Sequence, residues 1–169
     1  MLKGKEQMKT ESRRIVIIVL SALVLALSGL PALARDKPED TMPFIREKVK
    51  ADKKLFVAEV MQLTESEAKA FWPIYDNYQK DLTKIYDRTM VMIRDYASNH
   101  QSMTNEIAKR LTVELLAIGM DHQKLKENYW PLFRGALSDI KVARYYQLEN
   151  KIAAGINYDA ANNIPLIGK

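Results

Sequence analysis

Few side chains in this sequence stand where they could do acid–base or covalent chemistry. There are two histidines, His100 and His122, and no cysteine, which excludes thiolate metal ligation and thiol nucleophiles. A catalytic centre needs several convergent groups. The histidines fall apart, one in a polar loop and one within a helical seam. The nearest paired carboxylates, Glu65 and Glu67, sit where a helix begins, and the positive end of the helix dipole accounts for them. No Gly-rich phosphate loop, nucleophile elbow or His-Glu metal motif is present. The expectation is a protein with no enzymatic activity, no cofactor and no metal.

Recognition chemistry is better represented. Phe71-Trp72-Pro73-Ile74-Tyr75 and Tyr129-Trp130-Pro131-Leu132-Phe133 share one order, and they contain both tryptophans of the chain. Each proline falls inside a helical pattern, where it removes a hydrogen bond at a cost of about 3 kcal/mol. Phe71, Trp72, Pro73, Tyr75, Tyr129, Trp130, Pro131 and Phe133 are therefore the candidates for helix kinks and for contact with a partner. Met42, Met61, Met90, Met92, Met103 and Met120 add soft, adaptable apolar surface of the kind used by promiscuous binders.

The elements that must position these residues follow from the ends inward. Lys3, Lys5, Lys9, Arg13 and Arg14 precede an apolar run from Ile15 to Leu27, broken only by Ser21. Leu30-Pro31-Ala32-Leu33-Ala34 then supplies a breaker and small residues, the layout of a secretory signal cleaved after Ala34. The other reading of residues 1–34 is an uncleaved anchor, which would be the only link to a membrane. Without cysteine there is no lipoprotein anchor. Taking the leader's 5 basic and 2 acidic residues from totals of 26 and 21 leaves 21 against 19. So balanced a chain gives no support to nucleic-acid binding.

Residues 35–41 are charged and proline-containing, a flexible N-terminus, and 42–169 read as one all-α domain. A short helix is expected from about Pro43 to Gln62, with Ile45, Val49, Phe56, Val60 and Leu63 on one side. Ala68, Phe71, Tyr75, Tyr78, Leu82, Ile85, Thr89, Met92 and Tyr96 then follow steps of three and four, a heptad seam. A second seam runs through Leu111, Leu115, Ile118, His122, Leu125, Tyr129, Leu132 and Ala136. Ser98 to Ser102 form a short polar loop between them, with Thr104 as N-cap, so the two long helices are antiparallel neighbours. A last helix, about Ser138 to Ala161, carries Val142, Tyr145, Ile152 and Ile156. The fold expected is a long antiparallel hairpin with two shorter flanking helices.

Leu63-Thr64-Glu65-Ser66-Glu67 is a capping box: Thr64 accepts from the Glu67 amide while Glu67 reaches back to the Thr64 amide. Leu137-Ser138-Asp139-Ile140-Lys141 is an incomplete copy, because Lys141 cannot close it. Both the capping motifs and the two Trp-Pro elements are arranged symmetrically about Gln101. In a hairpin of equal rise this places Trp72 level with Trp130 and brings the two motifs together at the far end.

The stretch Leu63 to Glu67 resembles the Leu-Thr-x-x-Gln (LTxxQ) signature of the Spy/CpxP family of periplasmic proteins, with Glu67 in place of the glutamine. Leu137 to Lys141 falls where the family has its second copy. The longer stretches LTESEAKAFWPIYDNYQ and ARYYQLENKI are similar to uncharacterised exported bacterial relatives of that family. The resemblance implies a cradle-shaped helical homodimer in the periplasm that holds partly unfolded envelope proteins without ATP. Some relatives instead inhibit an envelope-stress sensor, and others bind zinc. The leading expectation is a chaperone-like or envelope-stress protein. The alternative is a regulatory or structural partner of one specific envelope protein.

Overall fold

A computed structural model describes residues 38–168. The expected signal segment, 1–34, lies outside the described residues, as do the side chains of Ile45 and Val49. Among the described residues four α-helices follow one another: α1 (Pro38–Met61), α2 (Glu65–Asn99), α3 (Asn105–Ala136) and α4 (Asp139–Asn163), with a 3-10 turn, His100–Ser102, between α2 and α3. The fold is all-α, and no strand occurs among the described residues. No helix among them is long and apolar enough to cross a membrane. α1 begins at Pro38, inside the stretch 35–41 expected to be flexible, and a proline at a helix start loses no hydrogen bond.

The described residues divide into two compact units. One runs from α1 through Gln62 and takes up Arg144–Ile164, which is most of α4 and the residue after it. Val57, Met61, Tyr145 and Leu148 are its buried apolar side chains. The expected face of α1 is thus rotated by one residue: Val57 and Met61 are buried, while Phe56 and Val60 are half-buried. Lys53 and Glu149 tie the unit across the chain with an ion pair of 2.9 Å. Gln62 ends α1 in the left-handed region at φ 45°, a cost of about 1 kcal/mol for a residue with a Cβ.

The other unit holds Leu63–Ala143 and the tail from Pro165. In it α2 and α3 pack as an antiparallel pair, since residues late in one helix meet residues early in the other. Asp95 pairs with Arg110, Tyr86 packs on His122 and Phe71 on Phe133. The α2 seam lies inward as its period requires, with Phe71, Tyr75, Tyr78 and Leu82 buried. Leu111, Ile118 and Phe133 are the buried residues of α3. Leu115 and Leu132, expected in that seam, are exposed, and Phe133 takes the inward place beside Tyr129. Successive helical residues are turned by about 100°, so a leucine one step away from the buried position faces water.

Candidate functional site

The two capping motifs meet at one end of the antiparallel pair. Thr64 caps α2: its hydroxyl accepts from the Glu67 amide at 3.3 Å, and its amide donates to Glu67 Oε2 at 2.8 Å. The Thr64 hydroxyl hydrogen is given to the same carboxylate oxygen at 3.0 Å. Lys141 does not close a box of its own. Its ammonium crosses to Glu67 Oε2 at 2.5 Å instead. That ion pair, with the Thr64 amide second, pulls the Glu67 carboxyl down to about 2 from its ordinary 4.5. In the second copy Ser138 accepts from the Lys141 amide at a long 3.4 Å. Leu137 is buried and Leu63 half-buried.

Beside the motifs lies an aromatic layer. Phe71 stacks on Phe133 at 5.6 Å, and Tyr78 meets Tyr129 edge-on at 5.2 Å and Phe133 at 5.8 Å. Trp72 lies edge-on to Tyr75 at 5.3 Å. Such offset and edge-to-face pairs each add about 0.5–1.5 kcal/mol beyond the area they bury. Phe71, Tyr75 and Phe133 are core residues and offer no surface to a partner in this conformation. Tyr129 is half-buried and donates its hydroxyl to Asp81 Oδ2 at 2.7 Å, and burial followed by this bond pushes its phenol up to about 12. Trp130 is the aromatic candidate left in water, where the Arg134 guanidinium lies 4.7 Å from its ring and also holds Asp139.

The Trp-Pro elements are not level. Trp72 adjoins Phe71, whose partner is Phe133, whereas Trp130 adjoins Tyr129, whose partner is Tyr78. The register is centred past Gln101, between Ser102 and Thr104, which offsets the tryptophans by roughly one helical turn. The loop accounts for the shift: His100–Ser102 forms a 3-10 turn continuing α2, so the reversal comes later than the middle of the polar run. Neither proline divides its helix.

Comparison with family models, curated proteins and solved structures returned no match. The chemistry of the site therefore rests on this chain alone. His122 packs edge-on to Tyr86 at 5.5 Å, and its burial, then Lys126, lower its basicity while Asp121 opposes them. His100 lies by the turn, near Tyr96. Among the described residues no group of three or more His, Asp or Glu side chains gathers as a metal site would. Sequence reading missed two contacts of this region. One is the reach of Lys141 to Glu67. The other is Arg88, which donates to Glu114 at 2.7 Å and to Asp121 at 2.5 Å, clamping α2 to α3. A basic residue off the seam of one helix, opposite acidic residues off the seam of the other, is the only trace either leaves in the sequence.

Proposed function

We propose that this chain is an exported, non-enzymatic, chaperone-like protein of the Spy/CpxP kind, with the antiparallel pair α2–α3 as the long hairpin of that arrangement. It holds partly unfolded envelope proteins on apolar and aromatic surface, without ATP. The observation that carries the reading is the apolar surface left in water around the second motif. Trp130, Leu132 and Ile140 are each at least half exposed. Isolated exposed apolar residues are ordinary, but here three large ones fall within eleven residues of sequence, and Trp130 and Leu132, two residues apart on α3, present theirs on two sides of the helix. The Arg134 guanidinium lies over the Trp130 ring, and the indole stays half exposed. The paired capping motifs support the same reading, because they fasten the ends of α2 and α4 beside that surface.

Light scattering from a heat-denaturing client enzyme tests it. The wild-type chain at stoichiometric excess suppresses aggregation, and the variant Trp130→Ser/Leu132→Ser/Ile140→Ser needs several times more protein for the same effect. All three side chains are exposed, so the fold is kept, as circular dichroism would verify. No suppression by the wild type would sink the proposal. In that event the regulatory reading predicts a single saturable envelope partner in a pull-down and indifference to unfolded clients.

A further inference from the structure

The core of the α2–α3 pair thins towards its turn. On the α2 seam Phe71, Tyr75, Tyr78 and Leu82 are buried, but Ile85, Met92 and Tyr96 further along it are only half-buried. Met103 and Ile107, at the start of α3, are half-buried too, and the Asp95–Arg110 pair sets Tyr96 at their end of the helices. Two helices cover only the line along which they touch, so such a seam is finished by a third element. The chain brings one there. The Ile164 amide still reaches the Ala160 carbonyl at 3.0 Å, but Pro165 has no amide and ends the ladder of α4. From Pro165 onward the chain belongs to the same compact unit as α2 and α3. Tyr96 donates its hydroxyl to the Pro165 carbonyl at 2.5 Å, across 69 residues of sequence. This tether holds backbone only: Leu166 and Ile167 remain 65% and 54% exposed, and Gly168 turns the chain at φ 79°.

We propose that the turn end of the α2–α3 pair is a docking site for an extended apolar peptide, and that residues 165–168 are its built-in occupant. They form a strap that closes when Leu166 and Ile167 turn onto Met92, Tyr96 and Ile107. The tether selects this occupant, because it fixes a segment of the right chemistry at the site before any other peptide arrives. Proline keeps that segment out of a helix and so leaves its carbonyl for a side-chain donor, which Tyr96 supplies. A free peptide of the same chemistry enters only when the strap is open. The strap competes with it at an effective concentration on the order of millimolar. The site lies at the opposite end of α3 from Trp130, and the inference stands whether or not clients are held there.

Fluorescence anisotropy with a labelled synthetic peptide of residues 162–169 tests it on the full chain. The peptide binds the variant Leu166→Ser/Ile167→Ser about tenfold more tightly than the wild type, whose own strap competes. Adding Tyr96→Phe to that variant weakens the peptide severalfold, by removing the donor to the proline carbonyl. A peptide with serine at both apolar positions binds neither chain. Hydrogen exchange gives a second readout without peptide: amides of residues 97–107 exchange faster in Leu166→Ser/Ile167→Ser than in the wild type. Circular dichroism of that variant matches the wild type, since both replaced side chains are exposed. Equal affinity for the wild type and the serine variant, or no binding to the latter, would overturn the proposal. Affinity indifferent to Tyr96→Phe, or exchange at the turn unchanged by loss of the two apolar side chains, would overturn it as well.

Discussion

One oxygen of Glu67 serves two structures at once. It closes the cap of α2 through the Thr64 amide and hydroxyl, and it binds the Lys141 ammonium from the start of α4. A glutamine here could still accept from the Thr64 amide but would carry no charge for Lys141, so Glu67→Gln separates the cap from the ion pair. The folded carboxyl titrates at about 2 and the unfolded one near 4.5. Its contribution is therefore complete above the unfolded value and is lost as pH falls towards the folded one. Thermal unfolding at pH 6 is expected to show the wild type above Glu67→Gln, with the gap closing between pH 4.5 and pH 2. A gap that stays constant over that range would mean that Lys141 contributes nothing to the difference.

At the scale of the element, the prolines of α2 and α3 are tolerated because of where they point. Pro73 and Pro131 are exposed, and so are Lys69 and Glu127, whose carbonyls lose their intrahelical partners. Water can reach such carbonyls, whereas on the buried face they would be stranded. The helices are otherwise secured by the aromatic layer between them. Restoring the missing amide should help: Pro131→Ala is expected to raise stability to urea by about 1–3 kcal/mol, part of the difference in helix propensity. A loss of stability instead would show that the bend at Pro131 is needed for packing.

At the scale of the whole molecule stands the Lys53–Glu149 pair, with side chains only 12% and 6% exposed. It joins residues far apart in sequence within one compact unit. Removing one partner leaves a desolvated charge, so Glu149→Leu alone is expected to cost about 3 kcal/mol in chemical denaturation. Replacing both, Lys53→Met/Glu149→Leu, should return most of that loss, because apolar groups of similar volume fill the space without a desolvation cost. A double variant as unstable as the single one would show that the pair's geometry, rather than its charge balance, holds the unit. With no cysteine in the sequence, such contacts and the apolar core carry the stability without disulfides.

What the amino-acid order determined by itself was local. The Thr64–Glu67 box, the Thr104 cap, the span of α2 and the inward face from Phe71 to Leu82 all depend on neighbours within one or two turns, and each was legible in the sequence. The face of α3 was not. Apolar residues stand on both sides of that helix, Leu111 and Ile118 on one and Val113, Leu116 and Met120 on the other, so periodicity alone cannot say which side is core. Only packing against α2 turned Phe133 inward and left Leu115 and Leu132 in water. The same holds for the register, set by where the 3-10 turn reverses the chain, and for Lys141. Its charge has no use within its own motif and finds one only when the tertiary fold brings Glu67 within reach.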